Sequence, residues 1–489
     1  MAKILLDKNE YDFVASTKKI TIKTFDVIFD IKDILLIRNV TSTKEATIFT
    51  GAIGKSGAIL NNVLTLDFDT TSMADTDDLQ IYINYIKASQ KVELIDNDVF
   101  TSFGRIRTAE SKSLFDGQFK YDERPESWRT KTVGTASITH LPNEMAIDMN
   151  IGTASGDKVI RQSDFYIPYQ SGTSPIIRET FLFKIGKPNL RQEVGLFDDE
   201  NGFILRKENN TISFIIRDFL TGTQNELVKQ RSSWNDPMDG TGRSKINLDF
   251  SLTQHLVIDF QALYVGRVRF GFDIGGRTIN AHDEDFANRI STAYISTATL
   301  PIRYQITNLG ATSSASSMKQ ICSSYQAEGG DPINDTVGDR YLINSTTSGV
   351  SVGSSVEVPL FSIRPQASFK GQKFRGIIIP EELTTYAKKR PFRTIIRLNP
   401  ILSGAVWTNY SETSSACQLD TSASTISGGK LLGVLDSDKK TTKDLSKLLE
   451  KHFLSTDIDG LVPDVLSVSS ISLAASTNVL YSFKHKEIK

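Results

Sequence analysis

A run of alternating residues near the middle of the chain constrains its fold more than any other feature. Apolar side chains alternate there with charged residues or glycine, in the order Arg267, Val268, Arg269, Phe270, Gly271, Phe272, Asp273 and Ile274. A period of two is typical of a β-strand with one buried face. Gly275-Gly276 then supplies a two-residue turn, and residues 277–283 return. With the apolar stripe at 256–264, residues 255–286 predict three consecutive antiparallel strands.

The two-residue turn sets a register for this hairpin. Phe272 is expected opposite Ile279, and Phe270 opposite Ala281, on the buried side of the strand pair. Both phenylalanines are therefore predicted to be core residues.

The opposite face of the same hairpin predicts the one polar cluster that the strand pattern brings together: Arg267, Arg269, Asp259 and His282. Arg269 is expected opposite His282, with Asp259 as a partner for either arginine. One interpretation is a cross-strand charge ladder on a half-exposed face, and the alternative is a contact with a ligand or another subunit. Charged residues on strands commonly form such ladders, so the first interpretation is favoured.

Short β-branched runs separated by Ser, Thr, Gly and Asn recur through the 489 residues. This pattern favours an all-β fold of tandem β-sandwich domains, jelly-roll or lectin-like, with few helices. We expect four segments: a small N-terminal β domain serving as an attachment module (1–88), a connector (89–110), a central jelly-roll-like sandwich (111–310) and a C-terminal sandwich with one short helix (311–489).

Individual elements follow from the same patterns. In the N-terminal domain we expect strands at 20–22, 27–31, 34–40, 46–49, 63–68 and 79–85. A meander is expected at 193–218, with turns at 201–202 and 208–210, and C-terminal strands at 356–363, 374–379, 392–398, 405–410 and 465–473. Thr442 can cap a helix at 443–454, whose apolar residues share one face: Leu445, Leu448, Leu449 and Phe453.

Composition narrows the classes of partner. The 56 basic and 57 acidic residues leave a net charge of −1, which argues against nucleic acid. No window approaches the ~20 apolar residues of a membrane span, and the N-terminal residues lack the apolar run of a signal peptide. Cys322 and Cys417 are too few for a disulfide framework and are expected to be reduced, small buried residues.

No residue can be nominated as catalytic, cofactor-binding or metal-binding. The five histidines, at 140, 255, 282, 452 and 485, lack a second His or Cys at metal-ligand spacing. No phosphate-binding loop, dinucleotide fingerprint or nucleophile elbow occurs, so we expect no cofactor. A glycosidase would need two carboxylates across a cleft, and no pair stands out among the 57 acidic residues. We therefore expect a protein that is not an enzyme.

Two charged loops have ordinary explanations. The acidic loop carries Asp67, Asp69, Asp75, Asp77 and Asp78. It could be a calcium site, but it lacks the Gly and distal Glu of a calcium-binding helical hand, which favours a solvated turn. The basic run Lys388-Lys389-Arg390 is likewise more typical of a solvated turn than of a phosphate site.

Motifs of the central region resemble a family of structural proteins from tailed-bacteriophage virions, of the tail-fibre or baseplate type, common in contractile-tailed marine phages. The resemblance covers about 200 residues, with looser matches at the C-terminal third and at residues 1–88. It rests on residues 141–144, 152–163, 168–172, 195–199 with 201–202, 234–235 with 239–242, 259–261, 265–272 and 301–304.

The resemblance implies a virion component, in the tail, baseplate, neck or fibre region, that is assembled in the host bacterial cytoplasm. Its expected partners are other virion proteins and further copies of itself, with a homotrimer as the first expectation. The alternative is a receptor-binding fibre protein that holds a host glycan, and a polysaccharide-degrading enzyme is a third reading. The family implies no catalytic residues.

Overall fold

The computed structural model describes residues 2–23, 31–41, 46–52, 54–85, 111–261, 263–333, 335, 337–438, 440–445 and 453–489. The described chain is all-β, as predicted. Its helices are single 3-10 turns at Lys8–Glu10, Ala15–Thr17, Ile31–Asp33 and Arg231–Ser233, and none of the described helices could span a membrane. The chain divides into two compact units, Met1–Ile95 and Asp96–Lys489.

The first unit is a small sandwich of two four-stranded sheets, ordered β1-β8-β4-β5 and β2-β3-β7-β6. Isoleucine, leucine and phenylalanine side chains from both sheets form one core. Five of the six predicted strands lie on β3, β4, β5, β7 and β8; residues 27–30 of the remaining one lie outside the described residues. The strands are β1 (Ala2–Leu5), β2 (Tyr11–Val14), β3 (Lys19–Ile22), β4 (Ile34–Asn39), β5 (Ala46–Phe49), β6 (Gly57–Leu60), β7 (Val63–Leu66) and β8 (Leu79–Tyr85).

The second unit begins with a large central sandwich. Its strands are β9 (Ser111–Gln118), β10 (Trp128–Val133), β11 (Ser137–Leu141), β12 (Ala146–Ile151), β13 (Lys158–Ser163), β14 (Ser174–Phe183), β15 (Leu190–Phe197), β16 (Gly202–Glu208), β17 (Thr211–Asp218), β18 (Asn225–Gln230), β19 (Gln254–Phe260), β20 (Val268–Ile274), β21 (Arg277–Glu284), β22 (Ile302–Asn308) and β23 (Ser316–Glu328). One sheet has the order β10-β13-β22-β15-β16-β17-β18. The other has the order β11-β12-β23-β14-β19-β20-β21, with β9 also paired to β23. The predicted meander at 193–218 is β15 to β17. Its second turn lies at 209–210 as expected, but the first is a four-residue loop at 198–201, because Gly202 already pairs with Phe197.

The central sandwich extends past the boundary expected at residue 310. β23 pairs along β14 and also with β12 and β9, so it is an inner strand of the second sheet. The Ser/Thr-rich composition after residue 310 suggested a new domain, but composition does not report which sheet a strand joins.

The hairpin β20–β21 has the predicted turn and a different register. Phe272 lies opposite Ile279 as expected, but a bulge at Ala281 places Phe270 opposite His282 and Arg269 opposite Asp283. The predictions that Phe270 faces Ala281 and that Arg269 faces His282 are therefore wrong, because one extra residue shifts everything beyond it. Phe270 and Phe272 are buried in the core, as predicted.

A second sandwich completes this unit. It packs a five-stranded sheet, β24-β38-β29-β36 with β25 on β38, against a six-stranded sheet, β32-β33-β26-β37-β30-β35. Its strands are β24 (Asp339–Asn344), β25 (Val350–Val352), β26 (Val358–Pro365), β27 (Ser368–Phe369), β28 (Gln372–Lys373), β29 (Ile377–Ala387), β30 (Phe392–Leu398), β31 (Ile401–Ser403), β32 (Thr408–Asn409), β33 (Cys417–Asp420), β34 (Thr425–Ser427), β35 (Lys430–Ser437), β36 (Lys440–Asp444), β37 (Leu466–Ser472) and β38 (Thr477–Ile488).

The predicted helix at 443–454 is wrong at its start. Lys443 and Asp444 belong to strand β36, which pairs with β29, because a neighbouring strand offers this segment a complete hydrogen-bond ladder. Residues 446–452 of the prediction lie outside the described residues, as does the connector at 89–110.

The core of the central sandwich is shared at one edge with the C-terminal sandwich, which also has a separate core of its own. Ile377, Ile379, Phe453 and Ile488 come from the C-terminal sandwich, yet they pack into the core of the central one. Phe165 and Phe453 meet edge to face across this junction, with ring centroids 5.0 Å apart.

Candidate functional site

The predicted polar cluster of the central hairpin is divided among separate partners. Arg269 Nη2 lies 3.4 Å from Asp259 Oδ2, a pairing that the sequence analysis anticipated. Arg267 instead pairs with Asp285 at 2.6 Å. His282 Nε2 lies 3.2 Å from Glu284 Oε2, while burial lowers the pKa of this imidazole. The arrangement is a set of local pairs along β19, β20 and β21, and it does not converge on one point. Asp259, Arg269 and His282 are buried, so the half-exposed face expected for a charge ladder is wrong.

A stronger charged network lies on the outer face of the seven-stranded sheet. Alternation along β15 to β18 turns Glu193, Arg206, Arg217 and Glu226 away from the core. Arg206 donates from Nε to Glu193 Oε1 (2.8 Å) and from both Nη atoms to Glu226 (2.7 Å each). Arg217 Nε also donates to Glu226, at 2.9 Å. Two carboxylates thus hold two guanidinium groups, all largely shielded from solvent.

The charge state of this network follows from its geometry. Burial by itself would raise the pKa of Glu226, but the hydrogen bonds and positive charges of Arg206 and Arg217 outweigh it and lower that pKa to about 2. Glu226 is therefore an anion throughout the physiological pH range.

The network continues to the junction with the C-terminal sandwich. Arg217 Nη1 donates to the backbone oxygen of Asp198 (2.8 Å), and the fully buried carboxylate of Asp198 accepts from Arg375 Nε at 2.7 Å. Arg375, which belongs to the C-terminal sandwich, also binds Glu200. Nearby, Arg303 pairs with Asp199 at 2.6 Å. Charged residues thus join the two sandwiches beside their shared core.

This arrangement is poorly suited to glycoside hydrolysis. That chemistry needs one carboxyl group with a raised pKa as the proton donor and a second carboxylate opposite it. Glu193 and Glu226 are the carboxylates grouped on this sheet face, and both bind the same guanidinium group. With its pKa lowered to about 2, Glu226 cannot donate a proton at neutral pH.

The two charged loops also resolve into local contacts. Asp69 accepts from Thr71 N (3.1 Å), Asp75 from Ala15 N (2.6 Å) and Asp77 from Asn39 Nδ2 (2.8 Å). These carboxylates therefore bind separate donors around the acidic loop. The basic run Lys388-Lys389-Arg390 is an exposed turn between β29 and β30, as predicted.

The described residues contain neither a cluster of side chains suited to a metal ion nor a thiol with a lowered pKa. No group of three His, Cys, Asp or Glu side chains there could hold a metal ion. Cys417 is a free, buried thiol as predicted, and burial raises its pKa well above the usual value. Cys322 is also free but exposed, so the prediction that it is buried is wrong; the strand β23 turns it toward solvent.

The charged network was not predicted from the sequence, because its members lie on four different strands. One signal was present: Glu193, Arg206 and Arg217 are out of phase with the apolar residues of the meander, which places them on one face. Pairing them requires the strand register, which the sequence does not supply.

Known proteins resemble this chain only in fold. No protein-family model matches the chain, and no curated protein matches it. Solved structures with similar strand arrangements include a protein of unknown function from Shewanella oneidensis (11% identity, TM-score 0.32, covering 50% of this chain and 95% of that one). They also include a legume lectin-like domain from Entamoeba histolytica (11%, 0.26, 44% and 98%) and the Bacillus licheniformis β-glucanase (8%, 0.29, 45% and 99%). Likenesses this distant carry no argument about activity.

Proposed function

We propose that the protein is a structural component of a tailed-phage virion that acts by assembly with itself and with other virion proteins. The observation that carries the proposal is that polar residues of the phage-like motifs form hydrogen bonds within the fold itself. Asp157 accepts from Thr135 Oγ1 (2.6 Å), Asp198 from the amides of Glu200 and Asn201 (2.8 Å each), and Asp239 from the amide of Thr241 (2.9 Å). These motif residues hold turns and strand ends in place, as a scaffold requires.

Exposed sheet edges are consistent with assembly. β35 is the terminal strand of its sheet, and it exposes about half of Leu431 (53%) and Val434 (43%). An edge strand with apolar side chains is a template for pairing with another chain unless a partner covers it.

Sedimentation velocity of the purified chain, alone and mixed with its co-purifying virion proteins, tests this proposal. We expect a homo-oligomer, with a trimer as the first expectation, or a tight complex whose interface exceeds the ~1,000 Å² typical of specific assemblies. Val434→Lys should weaken the association, whereas Leu252→Lys, at an exposed apolar residue in the bend before β19 and on no sheet edge, should not. A monomer that binds no virion protein overturns the proposal.

One exposed site favours the second candidate function, recognition of a host glycan. Trp407 is half-exposed, and the Arg364 guanidinium carbon lies over its ring, 4.2 Å from the ring centroid. Arg364 Nε donates to Gln418 (2.8 Å), and Gln418 donates to Asn409 (3.0 Å). An aromatic ring beside amide groups is a surface that suits a sugar.

A glycan array probed with the intact protein tests this second function. Under the glycan reading, Trp407→Ala should abolish any signal, while Tyr121→Ala, at an exposed tyrosine of the central sandwich, should preserve it. A signal that survives Trp407→Ala contradicts the assignment of this site.

A further inference from the structure

A cavity of about 500 Å³ opens at the junction of the two sandwiches, beside their shared core. Three phenylalanine rings line it: Phe115, Phe165 and Phe453. Phe165 meets Phe453 edge to face at 5.0 Å and Phe115 at 6.2 Å between ring centroids. Leu114 and Ile333 extend this apolar lining. The volume lies within the range of ligand pockets, which are mostly apolar with a few polar groups.

Asp164 is the polar group set among these rings. Its backbone is fixed, since its N–H donates to Ser127 O (2.9 Å) and its C=O accepts from Arg129 Nε (2.8 Å). Its half-buried carboxyl group lines the cavity. The arginine next to it is engaged elsewhere, because Arg129 Nη2 binds Asp464 at 2.5 Å.

The other charged side chains around Asp164 already have partners of their own. Lys112 and Arg124 line it, but Lys112 Nζ donates to Gly330 O (2.5 Å) and Arg124 lies 3.7 Å from Asp116 Oδ2. Glu126, also on the rim, pairs with Lys430. Two cationic and three acidic side chains thus line the cavity, and the most enclosed acid is Asp164.

We propose that this cavity binds an organic cation, an ammonium group carried on an apolar body, with the ammonium on the Asp164 carboxylate and the apolar part among Phe115, Phe165 and Phe453. Aromatic faces attract cations, the more so where water is excluded. A partly buried carboxylate supplies the negative charge that pairs with the ammonium group where water is largely excluded. This site is independent of virion assembly, so the two proposals can fail separately.

Ionisation of Asp164 makes the binding depend on pH. Burial raises the pKa of this carboxyl to about 7, with the charge of Arg129 opposing the rise and that of Asp464 adding to it; Arg124 also opposes it. The carboxylate that holds the cation is therefore about nine-tenths formed at pH 8 and about one-tenth formed at pH 6. Affinity for a cation of fixed charge should fall about tenfold between these two pH values.

Isothermal titration of the full chain with benzyltrimethylammonium tests the proposal, because this probe keeps its charge at every pH. Binding is expected at pH 8 and should be about tenfold weaker at pH 6, while neutral benzyl alcohol should bind more weakly and without this pH dependence. Asp164→Asn should weaken binding at pH 8 about tenfold and remove the pH dependence. Phe453→Leu, which keeps apolar bulk but removes a ring, should weaken it about two- to fivefold.

Asp116→Asn is the matched control, because it removes the same charge from an exposed position on the rim; its dissociation constant should change less than threefold. Equal losses of affinity from Asp116→Asn and Asp164→Asn would show that the probe responds only to the overall negative charge of the surface, and would overturn the site. So would benzyl alcohol binding as tightly as the cation, or no binding at millimolar probe. If Asp164→Asn fails to fold, the pH dependence of the unaltered protein decides.

Discussion

Glu179 is a carboxyl group placed among apolar residues of the central core. On β14 it is in phase with Ile177, Phe181 and Phe183, which face the space between the sheets, and it is fully buried. Burial raises its pKa well above the usual value, with the Gly195 N–H opposing the rise. A charged residue in phase with an apolar stripe is visible in the sequence, and such residues are rarely buried without a cost.

This residue should make the folded state less stable as pH rises. The unfolded chain ionises Glu179 near its ordinary pKa while the folded chain resists ionisation, so each unit of difference costs about 1.4 kcal/mol once the pH exceeds both values. Glu179→Gln is therefore expected to gain stability relative to the unaltered protein between pH 4.5 and pH 8. Urea unfolding at both pH values measures the difference. A difference that is the same at both would contradict a raised pKa.

At the scale of elements, the hairpin β20–β21 offers a direct comparison of buried and exposed side chains. Phe272→Ala should cost roughly 3–5 kcal/mol, because it leaves a cavity between Phe250, Trp234 and Phe214. Arg267→Ala, just before β20, removes an exposed ion pair and should cost about 1 kcal/mol or less. Chemical denaturation measures both. Equal, mild losses would mean that Phe272 is not buried as described.

The same hairpin shows how far the sequence predicts such elements. Alternation and the glycine pair identified both strands, their turn and the burial of Phe270 and Phe272. The bulge at Ala281 was not predictable, because an extra small residue in a strand leaves the local alternation nearly intact and is fixed only by what packs against it. The predicted helix failed at Lys443 and Asp444 for a related reason: the leucines that follow fit a helix, but these two residues pair with β29.

The candidate site was less predictable than the fold. Glu193, Arg206 and Glu226 are brought together by register across four strands, and Asp164 and Phe453 line one cavity only because the two sandwiches meet there. Contacts between residues so distant in sequence leave no local pattern. The resemblance to virion proteins, in contrast, points to a class of protein without naming a site.

At the scale of the whole second unit, the junction should make its two sandwiches unfold together. Arg375→Gln is expected to cost about 3–5 kcal/mol, because it leaves the buried Asp198 carboxylate without its ion-pair partner from the other sandwich. Arg393→Gln breaks an exposed pair with Asp436 inside the C-terminal sandwich and should cost about 1 kcal/mol or less.

Scanning calorimetry of the two variants measures this coupling. We expect Arg375→Gln to lower the main transition, or to split it, and Arg393→Gln to leave its shape unchanged. If Arg375→Gln leaves the transition unaltered, the charged contacts do not couple the sandwiches.

The position of β38 has a consequence for how the chain is made. β38 lies between β24 and β29, yet it follows both in the sequence by many residues, whereas the strands of the central sandwich are all present once residue 328 has been translated. Domains generally fold as units, amino-terminal first, during synthesis. The ribosome therefore delivers every strand of the central sandwich before β38 exists, although the residues that complete its core at the junction, such as Ile377 and Ile488, come later. A stop codon ahead of residue 477 would release a chain whose β24 and β29 have no strand between them, leaving open edges available for aggregation.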